Sequence, residues 1–190
     1  IVCDTRSFNV DIWEAMVGPR INADDTWHHI TLVISGTTWS YYLDGQIAAS
    51  KNIFGALSVQ NPTHLYFGMN PNRGTHPMTG SVDDITIYHY PLSASQVTQI
   101  YTGESITEPV EEGPVTFHFD GNLEEEGGRI TLDGTKYSLV RDSQRGQVVK
   151  IDAGGQLNFS SDILPNGSST INFLYKKESV NAADHGKYIY

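Results

Sequence analysis

Gly80-Ser81-Val82-Asp83-Asp84-Ile85-Thr86-Ile87-Tyr88, running on through Pro91-Leu92 into Ser93-Ala94-Ser95-Gln96-Val97, is the stretch that decides the fold class. Its first part is a β-branched run, and strand alternation predicts Val82, Asp84, Thr86 and Tyr88 on one face with Asp83, Ile85 and Ile87 on the other. The second part reads as a short helix. Ser93 is the N-cap, Gln96 completes a capping box, and Gly103 can close the C-terminus. Val97, Ile100 and Tyr101 then share a face. A helix of about two turns does not persist alone, so it must pack on a sheet.

Moving outward, the remaining signals are for strands. Residues 1–3, 8–13, 29–34, 39–43 and 64–69 are short β-branched or aromatic runs separated by turn residues. Trp39-Ser40-Tyr41-Tyr42-Leu43 followed by Asp44-Gly45 predicts a hairpin, because Asp-Gly readily takes the positive φ angles of a type I′ turn. With Ser35-Gly36-Thr37-Thr38 as the preceding turn, residues 29–49 read as a three-stranded meander. Further strands are expected at 115–119, 129–132, 138–140, 147–151, 157–159 and 169–175, with Asp133-Gly134 and Asn166-Gly167 as turn punctuation. Val115, Phe117 and Phe119 share one face, and Ile171 and Phe173 another. The fold class is therefore all-β, two antiparallel sheets packed as a sandwich or jelly roll, with one short helix.

The chain has 190 residues, enough for one ordinary sandwich or two very small domains. A formal charge of −10 argues against nucleic acid or an anionic membrane as partner. Cys3 is the single cysteine, so no internal disulfide forms, and it reads as a small strand residue. No run of about 18 apolar residues exists to span a membrane. The missing initiator Met and signal-peptide pattern lead to the expectation of a mature or excised piece. Asn158-Phe159-Ser160 and Asn166-Gly167-Ser168 fit the glycosylation sequon, a triplet frequent by chance.

Asp25-Thr26-Trp27-His28-His29-Ile30-Thr31-Leu32, then Tyr42-Leu43-Asp44-Gly45-Gln46, then Leu65-Tyr66-Phe67-Gly68 resembles the second half of laminin-G-like, concanavalin-A-like jelly-roll domains. The run from Gly80 to Tyr88 and the capped helix resemble that family's closing strand and helix. Phe117-His118-Phe119-Asp120-Gly121-Asn122 resembles its first strand and turn, Val148-Val149-Lys150-Ile151-Asp152 a later strand, and Ser169-Thr170-Ile171-Asn172-Phe173-Leu174-Tyr175-Lys176 a central one. The resemblance thus divides the chain into a C-terminal half at 1–103, a linker at 104–113 and an N-terminal half at 114–190. Ile1-Val2-Cys3 is similar to the strand expected near Tyr188-Ile189-Tyr190, so the chain spans about one period of a tandem repeat. Either the halves close on each other within the chain, or they exchange strands with neighbouring copies, or the chain is a window on a longer array. A total length of one module favours closure.

Asp83, Asp84, Asp120 and Asn122 form the candidate cation site, because acidic residues beside glycine turns can supply the oxygens a Ca²⁺ needs; a solvated or backbone-capping role is the alternative. Structural Ca²⁺ is the cofactor the resemblance implies. His28 and His29 point to opposite faces of a strand and read as structural, and Trp27 reads as a packing residue. For ligand binding, the loop Met69-Asn70-Pro71-Asn72-Arg73-Gly74-Thr75-His76-Pro77 offers Asn70, Asn72, Arg73 and His76. Trp13, Trp39, Tyr41 or Tyr90 could add the aromatic face that a sugar ring stacks on, although Trp39 and Tyr41 are expected on a sheet face.

The strand-borne glutamate-x-aspartate-x-x-glutamate pattern of hydrolases on this fold is absent. Asp11-Ile12-Trp13-Glu14 has the wrong spacing, and Glu124-Glu125-Glu126 reads as a solvated loop. The expected function is a non-catalytic, extracellular or cell-surface recognition module for a glycan or protein partner. The alternatives are a repeating unit of a surface or filamentous assembly held by strand exchange with copies of itself, and an accessory module of a polysaccharide-active enzyme.

Overall fold

The computed structural model describes residues 2–6, 13–17, 21, 23–52, 65–68, 79–107, 113–128, 130–159, 163 and 168–178. In chain order the elements are β1 (Val2–Arg6), β2 (Trp13–Val17), β3 (Trp27–Ser35), β4 (Thr38–Leu43), β5 (Gln46–Asn52), β6 (Leu65–Gly68), β7 (Gly80–Tyr88) and α1 (Ala94–Tyr101). They are followed by β8 (Val115–Phe117), β9 (Asp133–Asp142), β10 (Gly146–Phe159) and β11 (Ser169–Lys176). β1 and β2 form a separate antiparallel pair. The other strands run β5-β4-β3-β11-β7-β10-β6, with β8 beside β7 and β9 beside β10. Strands from both sides of 104–113 therefore interleave within this chain, β11 lying between β3 and β7.

This hydrogen-bonded path folds over on itself. β6 and β11 are three strand spacings apart, about 14 Å in a flat sheet. Yet the Phe67 ring of β6 meets the Phe173 ring of β11 at 5.0 Å between centroids, edge to face. The turn-over happens in β10, whose first part pairs with β7 through Val149–Ile151 and whose last part pairs with β6 from Gln156 to Phe159. Between them the register shifts at Ile151/Gln156. The sandwich-like, mostly antiparallel architecture expected from the sequence is the one observed.

Ile30, Leu32 and Ile34 of β3, Trp39 and Tyr41 of β4, Ile85 and Ile87 of β7, and Ile171 and Phe173 of β11 fill the space between the layers. A second cluster lies on the other face, where Val33, Tyr42 and Tyr88 are covered by Leu92 and by Val97 of α1. The helix is capped as predicted: Ser93 Oγ accepts from the Gln96 amide, and the Gln96 side chain accepts from the Ser93 amide. Gly103 at φ 77 and Glu104 donate to the carbonyls of Ile100 and Gln99, a Schellman closure. Val97 is buried, whereas Tyr101 is half exposed. The Asp44-Gly45 turn has φ of 51 and 76, the type I′ pattern.

Three local readings are corrected. Strict alternation in β7 fails, because Val82 joins Ile85 and Ile87 in the inner core. An extra residue at Asp83-Asp84, with Asp84 at φ 48, bulges the strand and resets its register against β11 between Asn172 and Leu174. Asp133-Gly134 is not a turn but the start of β9. Residues 147–151 and 157–159 are parts of one strand, β10, rather than two. The expected strand at 8–13 overlaps β2 only at Trp13, and 8–12, 188–190, Asn166-Gly167 and the linker residues 108–112 lie outside the described residues. Among the described residues, no helix is long and apolar enough to cross a membrane.

Candidate functional site

The bulge in β7 brings the carboxylates of Asp83 and Asp84 to the same end of the sheet as the β9–β10 turn. Arg145, in that turn, donates from Nε to Asp83 Oδ2 at 2.9 Å and from Nη2 to Asp84 Oδ2. Asp84 Oδ1 also bonds His118 Nδ1 at 2.8 Å, and His118 Nε2 lies 3.8 Å from Glu126. The result is a chain of polar contacts from the β9–β10 turn across β7 to the segment after β8. Phe119 beside it is held at φ 58, a costly conformation for a bulky side chain. The Asp83 side chain is only 3% exposed, and its Oδ1 has no hydrogen-bond partner among the described residues. Burial outweighs the Arg145 guanidinium and, helped by the charge of Asp120, pushes the Asp83 carboxyl up to about 6.

A second cluster sits on the same face. Trp27 of β3 and Lys176 of β11 are directly opposite one another, and both reach Asp142 at the end of β9. The Trp27 indole N–H donates to Asp142 Oδ1 at 3.2 Å, and Lys176 Nζ donates to Oδ2 while lying 5.4 Å from the Trp27 ring centre. Asp142 Oδ1 also accepts the amides of Gln144 and Arg145, so this carboxylate fixes the turn that presents Arg145. Burial alone would raise the Asp142 pKa; Lys176, the Gln144 amide and the indole outweigh it and hold the group at about 2. Hydrogen bonding to Asp142, opposed by burial, raises the Lys176 pKa.

The four residues singled out for a cation do not share one coordination sphere. Asp83 and Asp84 are bridged by a guanidinium, Asp120 is exposed, and Asn122 Oδ1 accepts the amide of Glu124 at 3.0 Å. Among the described residues no group of three or more His, Cys, Asp or Glu is placed to hold a metal ion. A Ca²⁺ requires about six to eight oxygens, so the donors present here do not fit it. Asn70, Asn72, Arg73 and His76 lie outside the described residues. The strand ends on either side of that segment are close-packed. A Cβ on Gly68 would come within 2.3 Å of the Gly155 carbonyl, and one on Gly80 within 2.4 Å of the Lys176 carbonyl.

The remaining aromatic and acidic readings sort by burial. Trp39 and Tyr41 are in the inner core, and Tyr90 packs against the cluster under α1. The Trp13 side chain lies outside the described residues. Trp27 has Lys176 over its ring and its N–H engaged, which is the packing role expected of it. His28 Nδ1 pairs with Asp44 Oδ2 at 2.9 Å, and His29 points to the opposite face under α1. Glu125, read as solvated, is 5% exposed and accepts the Gly127 amide. Sequence reasoning missed Arg145, His118, Asp142 and Lys176. The turn-forming run Asp142-Ser143-Gln144-Arg145-Gly146 could have drawn attention to that region, but it carries no information about the partner 62 positions away.

A laminin G-type family model, described as the concanavalin A-like lectin/glucanases superfamily, matches residues 6–98. Neither the curated proteins nor the solved structures give a match to the chain. The matched residues include β3 to β7 and most of α1, the strands between which β11 is inserted and the helix that covers them. Residues 6–98 thus match the concanavalin A-like lectin/glucanases superfamily, and the mostly antiparallel, sandwich-like fold of the chain is consistent with that superfamily's jelly roll.

Proposed function

We propose that this chain is a non-catalytic, extracellular recognition module that holds a glycan or a protein partner. The observation that carries the reading is the superfamily match over residues 6–98, since laminin-G-like domains commonly bind glycans or proteins. Two features favour binding over hydrolysis. Glycoside hydrolysis uses two carboxyl groups about 5–9.5 Å apart, free to act on the bond between them. Here Asp83 and Asp84 are tied to Arg145, and Asp142 to Lys176 and Trp27. The net charge of −10 points away from polyanions and toward neutral glycans or a basic protein surface.

The proposed contact surface is the 69–77 loop, with Asn70, Asn72, Arg73 and His76 as donors and acceptors for sugar hydroxyls or a peptide backbone. Support comes from its place in the chain, between β6 and β7 of the matched region, and from its run of polar donors and acceptors. The test is affinity electrophoresis of the chain through gels of neutral polysaccharides, beside an Asn70→Ala/Arg73→Ala variant. Retardation by one polysaccharide, lost in the variant, supports the reading. Measurable hydrolysis of that polysaccharide would replace it with an enzyme. Concentration-dependent polymerisation without retardation would replace it with a structural building block.

A further inference from the structure

We propose that His29 is a protonation-operated latch for α1: charging its imidazole lifts the last turn of the helix from the sheet while the sandwich beneath stays folded. The inference stands on the outer face of β3 and does not depend on the recognition reading. His29 is 6% exposed, and neither ring nitrogen has a hydrogen-bond partner among the described residues. Its ring lies 5.7 Å from that of Tyr101, the last residue of α1. The same tyrosine presses on the β4–β5 turn, where a Cβ on Gly45 would come within 2.8 Å of it, and Thr98 Oγ1 donates to the Gly45 carbonyl at 3.1 Å. The last turn of the helix therefore rests on a neutral imidazole and one turn.

A charged imidazole at this position finds no counter-charge free to hold it. From the β4–β5 turn the facing group is Asp44, whose carboxylate already accepts from His28 Nδ1 and from the His29 amide, both at 2.9 Å. From β11 the cross-strand neighbour is Leu174, and from α1 it is Tyr101. On its own strand the neighbouring titratable group is His28, a like charge when protonated. The helix C-terminus offers little, because Thr102, Gly103 and Glu104 already donate to the carbonyls of Thr98, Ile100 and Gln99. Hydration is the remaining way to accommodate the charge, and water reaches the ring once Tyr101 moves.

Burial, opposed by Asp44, lowers the His29 pKa from 6.5 to about 4. A group held that low in the closed form favours opening as pH falls from 6.5 toward 4, by roughly 20-fold at pH 5 relative to pH 7. Opening would bare the apolar cluster of Val33, Tyr42 and Ile100, so the exposed outer surface of the module would differ between neutral and acidic surroundings.

Hydrogen exchange of the full chain at pH 7.5 and pH 5, normalised for intrinsic exchange chemistry, tests the latch. Residues 97–101 should lose about 10- to 30-fold in protection while residues 30–34 of β3 keep theirs. A His29→Phe variant should keep the helix protected at both pH values. Should that variant fail to fold, NMR titration of the His29 ring in the unsubstituted chain should share its midpoint with the shifts of Tyr101. Equal helix protection at both pH values, simultaneous opening of β3, a pH response that survives in His29→Phe, or separate midpoints would each overturn the proposal.

Discussion

Arg145 Nε donates to Asp83 Oδ2 at 2.9 Å across 62 positions of sequence, joining the turn before β10 to the bulge in β7. The bond links a guanidinium that is one-third exposed to a carboxylate whose side chain is 3% exposed. The exposed partner can be lost to water, but the buried one cannot. Arg145→Ala should therefore cost about 2–4 kcal/mol, below the usual range for breaking a fully buried pair because Arg145 is partly solvated. Urea unfolding should show the loss, and Arg145→Ala/Asp83→Asn should recover much of it. A double variant as unstable as the sum of its parts would mean that the pair does not couple.

The guanidinium also occupies the place a divalent cation would take between Asp83 and Asp84. Melting in millimolar Ca²⁺ and in a chelator should give the same temperature within a degree or so. A rise on adding Ca²⁺ would show that a ligand set outside these carboxylates binds it.

What could be read from sequence was local. The Asp44-Gly45 hairpin and the Ser93–Gln96 capping box are specified by neighbours in the chain, and both formed as expected. The β7 bulge was hidden because its register is set by β11, far away in sequence. Asp133-Gly134 misled for a physical reason: that glycine serves close strand approach, with a Cβ there falling 2.8 Å from the Gln156 carbonyl. Gly154-Gly155 likewise allows β10 to turn over without ending, since a Cβ on Gly155 would come within 2.4 Å of the Lys136 carbonyl. The Asp83 and Asp84 half of the charged cluster stood out as acidic residues in a strand. Its cationic half did not, because Arg145 and Lys176 look like ordinary surface residues until the sheet assembles.

Gly68 and Gly80, on either side of the 69–77 segment at φ of 117 and 148, face backbone most closely, Gly80 meeting the buried Tyr175 ring as well. Gly68→Ala or Gly80→Ala must therefore push strands apart, at a cost of about 2–4 kcal/mol each. Gly36→Ala is the control, since nothing lies within 4 Å of a Cβ there although its φ is also positive; about 1 kcal/mol is expected. Thermal unfolding of the three variants ranks them. Equal losses at all three would reduce the first two to conformational preference alone.

Asp142 and Asp83 should shape the pH profile in opposite directions. Asp142 is held at about 2 when folded, below the ordinary 3.8. Its contribution is full above pH 3.8 and is lost as pH falls toward 2. Asp83 is pushed up to about 6, so the fold favours its protonated form. Its contribution is full below pH 3.8 and is lost as pH rises through 6. On going from pH 7 to pH 4, the chain should therefore gain about 1–3 kcal/mol relative to an Asp83→Asn variant. Asp142→Asn should be less stable than the parent at pH 7, with the gap closing near pH 2. Urea midpoints at pH 7, 4 and 2 measure all three. Parallel profiles for parent and Asp83→Asn would mean that Arg145 keeps Asp83 ionised throughout, outweighing the burial of the carboxylate.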